Sequence, residues 1–248
     1  MVIEIPLETL VYLYRLAALG KLMNGLIHNL NGPLQNIGID MEMMTYKLRQ
    51  KRAPEDSLTE DFSTRLKRME GEFDAVNHLV RTASAKGGRD EVLHESRSLR
   101  GFFEETLSFL RANLYFKHNV RKEIRLKNNA STDGLSPEVL LALEWLLQGL
   151  AEELERGKGS GLIIEGEQQD KEIVLDFIIE GVSPSSRLKE ALEIGGAPGG
   201  NLRIEAEDLG LNLASLLLKR FGCTLECLEN ESGGKIRAIL PFPQKTSP

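Results

Sequence analysis

The chain is short of cysteine, of tryptophan and of any excess of basic charge, and each shortage narrows what it can be. Only two cysteines, Cys223 and Cys227, and one tryptophan occur in 248 residues. Four positions apart in an extended segment, the two thiols would stand about 13 Å apart, too far for a disulfide. Reduced thiols fit a cytoplasmic protein. Lys and Arg number 31 against 37 Asp and Glu, giving a net charge of −6 and a sequence pI near 5.4. That balance argues against nucleic-acid binding, which calls for a basic face. No unbroken apolar run approaches the ~18 residues of a membrane span. The opening MVIEIPLETLVYLYR places acids ahead of its apolar stretch and lacks the basic start of a signal peptide. No membrane association is therefore expected.

What is present falls into two halves. Residues 8–50 read as one helix, with Leu19, Met23, Leu26, Leu30, Pro33, Ile37, Met41, Met44 and Leu48 spaced mostly three and four apart. Lys51-Arg52-Ala53-Pro54 breaks it, and Ser57 with Glu60 has capping-box spacing. Phe62, Leu66, Met69, Phe73, Val76 and Val80 then form a heptad seam. Two such helices make an antiparallel hairpin. One hairpin leaves its seam half exposed, so a homodimer through residues 8–83 is expected. Residues 84–97 are polar and read as a linker. Beyond them come a helix over 99–113, a strand at 120–126 and a helix over 137–156 opened by Ser136-Pro137. A hairpin follows at 161–165 and 172–179, then a loop over 183–206 containing the glycines of 195–200. A helix over 208–221 is closed by Gly222, and a final hairpin spans 224–228 and 235–240. The expected fold class is α+β: a helical hairpin over residues 1–88, forming a dimeric four-helix bundle, followed by an α/β-sandwich over 98–248.

The most specific pattern is RLAALGKLMNGLIHNLNGPLQNI, Arg15 to Ile37. His28 lies two residues from Leu26 and from Leu30, about 200° round the helix from each, so it faces solvent. An imidazole is mostly neutral and nucleophilic at pH 7. A lone exposed histidine is more often an ordinary surface residue, and His78, His94 and His118 are read so. Around His28, however, Leu19-Gly20-Lys21-Leu22, Gly25, Asn31, Pro33 and Leu34 match in order and spacing a known pattern. The segment resembles the phosphoacceptor helix of bacterial two-component sensor histidine kinases. The resemblance implies that His28 accepts a phosphoryl group. It also implies that Asn24, Asn31, Gly32 and Gln35, on the same side of the helix, meet the receiver domains of response regulators. Two departures stand out. Asn29 replaces the acid that follows the histidine in the family and helps it attack ATP. Gly32 replaces the Asn or Thr associated with dephosphorylation of the partner.

The second half resembles the ATP-binding domain of the same kinases. The resemblance rests on Leu209-Gly210-Leu211, a helix, Arg220-Phe221-Gly222-Cys223-Thr224-Leu225 and a strand ending in Leu240-Pro241. It implies a degenerate nucleotide site. Glu144 and Gln148 stand where a polar residue and a metal-holding Asn belong, and Gln is one methylene too long. Glu180-Gly181 stands where an Asp and spaced glycines should bind adenine. Glu207 and Asp208, before Gly210, replace the glycines of a phosphate loop. Two carboxylates there would repel a triphosphate, each like-charge pair at about 5 Å costing roughly 3 kcal/mol at an effective dielectric near 20. The acids are also expected to cap the helix and stabilise its dipole.

Together these features resemble the histidine phosphotransferases of phosphorelays, which pass phosphoryl groups between receiver aspartates without ATP. No metal and no cofactor is expected of the chain itself. The alternatives are a catalytically inactive pseudokinase that docks partners in two-component signalling, and an active sensor kinase with an unusual ATP site.

Overall fold

The computed structural model describes residues 7–50, 55–87, 98–127, 130–169, 171–193, 208–230 and 233–241. They form two compact units. One contains the helical hairpin from Arg15 onward; the other contains the remaining elements together with the first turns of the N-terminal helix, up to Tyr14.

The hairpin consists of α1 (Leu7–Gln50) and α2 (Glu55–Gly87). Its polar contacts set the register. Asn36 Nδ2 donates to Glu72 Oε1 at 2.7 Å, and Lys47 Nζ lies 2.8 Å from Asp61 Oδ2. Between these levels Asp40, fully buried, is clasped by two guanidiniums from α2. Arg65 Nη1 donates to Oδ1 at 2.7 Å, Arg68 Nε donates to Oδ2 at 2.5 Å, and Arg68 Nη2 also bonds Oδ1. Ala18, Leu22 and Leu26 are buried, while Leu19, Leu30, Pro33, Ile37 and Met44 are half-buried.

The apolar stripes divide differently from the sequence expectation. Met23, Met41 and Leu48 of α1 are exposed rather than part of one inward stripe. On α2 the heptad splits: Phe62, Met69 and Val76 are half-buried, but Leu66, Phe73 and Val80 are exposed. Helix α1 carries its own exposed heptad, Ile27, Leu34, Met41 and Leu48. In the register above, Met41 is level with Leu66, Leu34 with Phe73 and Ile27 with Val80, each within one residue. The hairpin thus presents a second, uncovered apolar ladder.

Helix boundaries also differ. The second helix begins at Glu55, so Ser57 lies inside it rather than at its cap, and it continues to Gly87 over the first part of the expected linker. The breaker at 51–54 and residues 88–97 lie outside the described residues. By length and composition alone α1 is long and apolar enough to cross a membrane, with an 18-residue stretch of mean hydropathy 1.2. The expectation of no such stretch counted only unbroken apolar residues.

The second unit is a five-stranded sheet with helices on one face. Its elements are α3 (Leu99–Leu110), α4 (Leu114–Asn119), β1 (Arg121–Lys127), α5 (Pro137–Gly157), β2 (Gly161–Gln168), β3 (Glu172–Glu180), α6 (Ser186–Glu193), α7 (Leu209–Arg220), β4 (Thr224–Asn230) and β5 (Gly233–Pro241). The strand order is β1-β2-β3-β5-β4, with β1 parallel to β2 and the other pairs antiparallel. Strand β3 alternates strictly: Ile173, Leu175, Phe177 and Ile179 are fully buried beneath the helices, and Phe103 of α3 meets Phe177 edge-on at 6.0 Å. The opposite face is laced with ion pairs, among them Arg237–Asp176 at 2.8 Å and Arg125–Glu165 at 3.0 Å. Helix α5 starts as expected: Ser136 Oγ accepts from Val139 N and Pro137 takes the first turn. Two short helices depart from expectation. Helix α4 follows the turn after α3, and α6 lies in the stretch read as loop. The N–H of Ser185, just before α6, donates to the buried Glu153 at 2.8 Å, which pins that helix to α5.

Asp40 yields a prediction about pH. Hydrogen bonds from Arg68, opposed by burial and joined by those from Arg65, hold its carboxyl below the usual carboxylate range. A carboxylate whose folded pKa is lowered stabilises the fold above its unfolded pKa near 4, and that contribution disappears as pH falls through the folded value. The Asp40→Asn variant should melt several degrees lower at pH 7 when followed by helical circular dichroism. Between pH 5 and pH 2 its melting temperature should fall less steeply than that of the wild type.

Candidate functional site

His28 is exposed on α1, and so are Asn24, Asn31, Gly32 and Gln35. At 100° per residue these four lie within about 60° of His28. They form one polar stripe, on the opposite side of the helix from buried Leu26 and half-buried Leu30. Asn29 is half-buried on the flank. Pro33 lies inside the helix and has no N–H to donate to the Asn29 carbonyl, which opens the hydrogen-bond ladder one turn from His28. At Gly32 a side chain would meet nothing within 4 Å, so the surface beside His28 is open. An exposed imidazole flanked by short polar side chains can reach a phosphoryl donor brought by another protein.

The residues expected of a degenerate nucleotide site lie in the second unit, and most are tied into structural contacts. Glu180, at the end of β3, turns its carboxylate back over the sheet to Arg121, with Nη2 at 3.0 and 3.1 Å from its two oxygens. Gly161 sits between them in register, and any side chain there would overlap the Glu180 carboxylate. Gly181 has φ +77°, the left-handed turn that glycine allows. Gln148 is buried, Glu144 is half-buried, and the adjoining Gly149 receives Leu211, so α7 packs directly on α5. Gln148 Nε2 and Asn212 Oδ1 are buried without a protein hydrogen-bond partner.

At the start of α7 the space beside the first turn is taken up by Tyr14. The Tyr14 hydroxyl fills the space that a Gly210 side chain would take, and the Tyr14 ring meets Trp145 edge-on at 4.8 Å. Burial, with the nearby charge of Glu152 as the smaller cause, raises the Tyr14 pKa well above its ordinary value. Asp208 corrects the sequence reading: it occupies the cap position but makes no capping hydrogen bond, and its carboxylate pairs with Arg187 of α6. The Asp208 charge is therefore matched within the protein. Glu207 and the glycines of 195–200 lie outside the described residues. Tyr14 and Arg187 were missed from the sequence; the one available sign was an aromatic residue within the first apolar turns of α1.

Cys223 and Cys227 are both free, and burial pushes the Cys223 thiol up to about 11. Among the described residues no group of three or more His, Cys, Asp or Glu could hold a metal ion.

No family model matches the chain, and no characterised protein matches it by sequence. Solved structures similar to it include the Acinetobacter baumannii histidine kinase AdeS, at 15% identity over 88% of this chain and 98% of that one, with a TM-score of 0.43. A structure described as a bacterial phosphotransferase is 14% identical over 90% of this chain and 96% of its own, with a TM-score of 0.44. The ATP-binding domain of PrrB from Mycobacterium tuberculosis is 14% identical over 61% of this chain and 98% of its own, also at 0.44.

The packing of Tyr14 gives a double-mutant prediction. Gly210→Ala places a methyl group on the Tyr14 hydroxyl and should cost about 1–3 kcal/mol, as overpacking does. In the Tyr14→Ala background the same change should cost much less, because the clashing atoms are gone. Trp145 is the only tryptophan, so intrinsic fluorescence during denaturant unfolding follows this contact directly.

Proposed function

We propose that the chain is a histidine phosphotransferase of two-component type, in which His28 takes a phosphoryl group from a receiver aspartate and gives it to another without using ATP. The observation that carries this reading is the polar stripe of Asn24, His28, Asn31, Gly32 and Gln35, exposed on a helix whose motif resembles the phosphoacceptor helix of histidine kinases. The obstruction around Gly210, the Arg187–Asp208 pair and the Glu180–Arg121 pair favour a source of phosphate other than ATP. In the proposed step the neutral imidazole nitrogen attacks the phosphorus of the acyl phosphate, the receiver carboxylate leaves, and the imidazole loses its proton to solvent. Cytoplasmic placement belongs to the same proposal.

Dimerisation is a further part of it. The ladder of Ile27, Leu34 and Met41 beside Val80, Phe73 and Leu66 is apolar, regular and uncovered, with Phe73 58% exposed. A second hairpin laid on it would complete a four-helix bundle. Sedimentation at micromolar concentration should give twice the 27.7 kDa chain mass, and Phe73→Asp should give the monomer, since a charge in that seam would have no partner.

A second reading, a docking scaffold without chemistry, is favoured by Asn29, which cannot take the proton an acid would. Incubation with phosphorylated receiver domains separates the two. Phosphotransfer predicts acid-labile, alkali-stable label on His28, lost in His28→Ala with the fold intact, since an exposed side chain is truncated at a cost within about 0.5 kcal/mol. Receiver binding without label, unchanged in His28→Ala, would leave the scaffold.

A further inference from the structure

The two edges of the sheet carry opposite charge. Edge strand β4 has Glu226 and Glu229, whereas edge strand β1 reads Arg-Lys-Glu-Ile-Arg-Leu-Lys. On the outer face of β1 the cations are matched by neighbouring acids: Arg121 with Glu180, Arg125 with Glu123 and Glu165, Lys127 with Glu167. On the inner face Arg100 lies 3.9 Å from Glu104 of the same helix, and the cations outnumber the acids. Lys122 and Ile124 border a groove of about 400 Å³ whose other wall is α3, with Arg100, Glu104, Leu107, Ser108 and Arg111. Three cations and one acid surround an apolar floor of Leu107 and Ile124. Lys122 Nζ donates to the Lys117 carbonyl at 3.1 Å and stands 5.0 Å from the centre of the Phe116 ring. Burial, and secondarily the charge of Arg111, lowers its pKa.

The backbone at this edge has a definite polarity. Arg121 N donates to Ser160 O at 2.8 Å, and Arg121 pairs with Gly161 in the parallel ladder. In a parallel pair alternate residues turn their N–H and C=O to the neighbouring strand. Arg121, Glu123, Arg125 and Lys127 therefore face β2, while the backbone groups of Lys122, Ile124 and Leu126 point outward. Among the described residues no strand lies beyond β1. From Arg100 to Arg111 the groove wall runs about 16 Å at 1.5 Å per helical residue, the length of about five extended residues.

We propose that the groove between α3 and the open edge of β1 binds an extended acidic segment of a partner protein, which joins the sheet as a strand beside β1. Its backbone would pair with Lys122, Ile124 and Leu126, and its inward side chains, acidic, apolar and acidic in turn, would meet Arg100, Lys122 and Arg111 around Leu107 and Ile124. Lysine on an edge also deters unwanted pairing, but that role needs neither a second cationic wall from α3 nor an apolar floor. A small anion would match the charges and leave the backbone groups unused. A second copy offering β4 fits less well, because Glu229 is already paired with Lys189 and such a head-to-tail contact would propagate into open chains of molecules. The proposal is independent of the phosphotransfer reading.

The test uses a fluorescein-labelled heptapeptide, Thr-Asp-Val-Leu-Val-Asp-Thr, and the full chain, with anisotropy and amide hydrogen exchange as readouts. Saturable binding is expected, weakened at least tenfold when both peptide Asp residues are replaced by Lys, and at least tenfold by Arg111→Glu combined with Lys122→Glu. Ile124→Pro, tolerable at an edge where the N–H points outward, should abolish binding while leaving every charge in place. Exchange at Lys122, Ile124 and Leu126 should slow at least tenfold in the complex, and this decides the matter on the wild type if the proline variant does not fold. No binding at millimolar peptide would overturn the proposal. So would binding that leaves those three amides unprotected, or self-association that competes with the peptide and disappears in Glu226→Lys.

Discussion

The Asp40 carboxylate, held between Arg65 and Arg68, sets the register of α1 against α2, and which side chains the hairpin exposes follows from that register. A buried charge is expensive unless paired, so the two helices have one favourable alignment at this level. With it fixed, Leu22 and Leu26 turn inward and His28 turns outward with its polar neighbours. The same alignment stacks Ile27, Leu34 and Met41 beside Val80, Phe73 and Leu66. The polar stripe around His28 and the apolar ladder lie on adjoining sides of one helix, so a partner hairpin could cover the second without covering the first.

The second unit is constrained differently. Its sheet and helices form a well-filled core, and Tyr14, Leu211 and Arg187 pack against or pair with Gly210, Gly149 and Asp208. Each contact is local, and together they join α5, α6, α7 and the first turns of α1 into one block. Such a unit is suited to presenting surface, and the basic edge at β1 is one such surface.

Much of the architecture was legible from periodicity. The long helices, the strands of the second half and the outward placement of His28 all follow from spacings of 3.6 and 2. Helix α6 was not legible, because Ser-Arg-Leu-Lys-Glu-Ala-Leu-Glu buries only Leu188, Ala191 and Leu192 and adjoins glycines that suggest a loop. The division of the α2 heptad into an inner and an outer row was also hidden. Periodicity says that Phe62 through Val80 share a side, but which of them meets α1 depends on where Asp40 finds its arginines, 25 and 28 residues away. At the candidate nucleotide site the residue types were legible and their engagements were not. Asp208 looked like a cap and is an ion-pair partner; Glu180 looked like a failed adenine ligand and is bonded across Gly161 to Arg121. Those outcomes depend on contacts between elements distant in sequence.

On the proposed function, phosphate reaches His28 from an aspartyl phosphate and not from ATP. The direct measurement gives one preparation of the full chain either γ-³²P-labelled ATP with magnesium or a ³²P-labelled phosphoreceiver, and follows alkali-stable label at His28 over time. Label should arrive from the receiver within the time course and not from ATP. Label arriving from ATP at a comparable rate, absent in His28→Ala, would contradict the proposal and would mean that the space around Gly210 opens to a nucleotide.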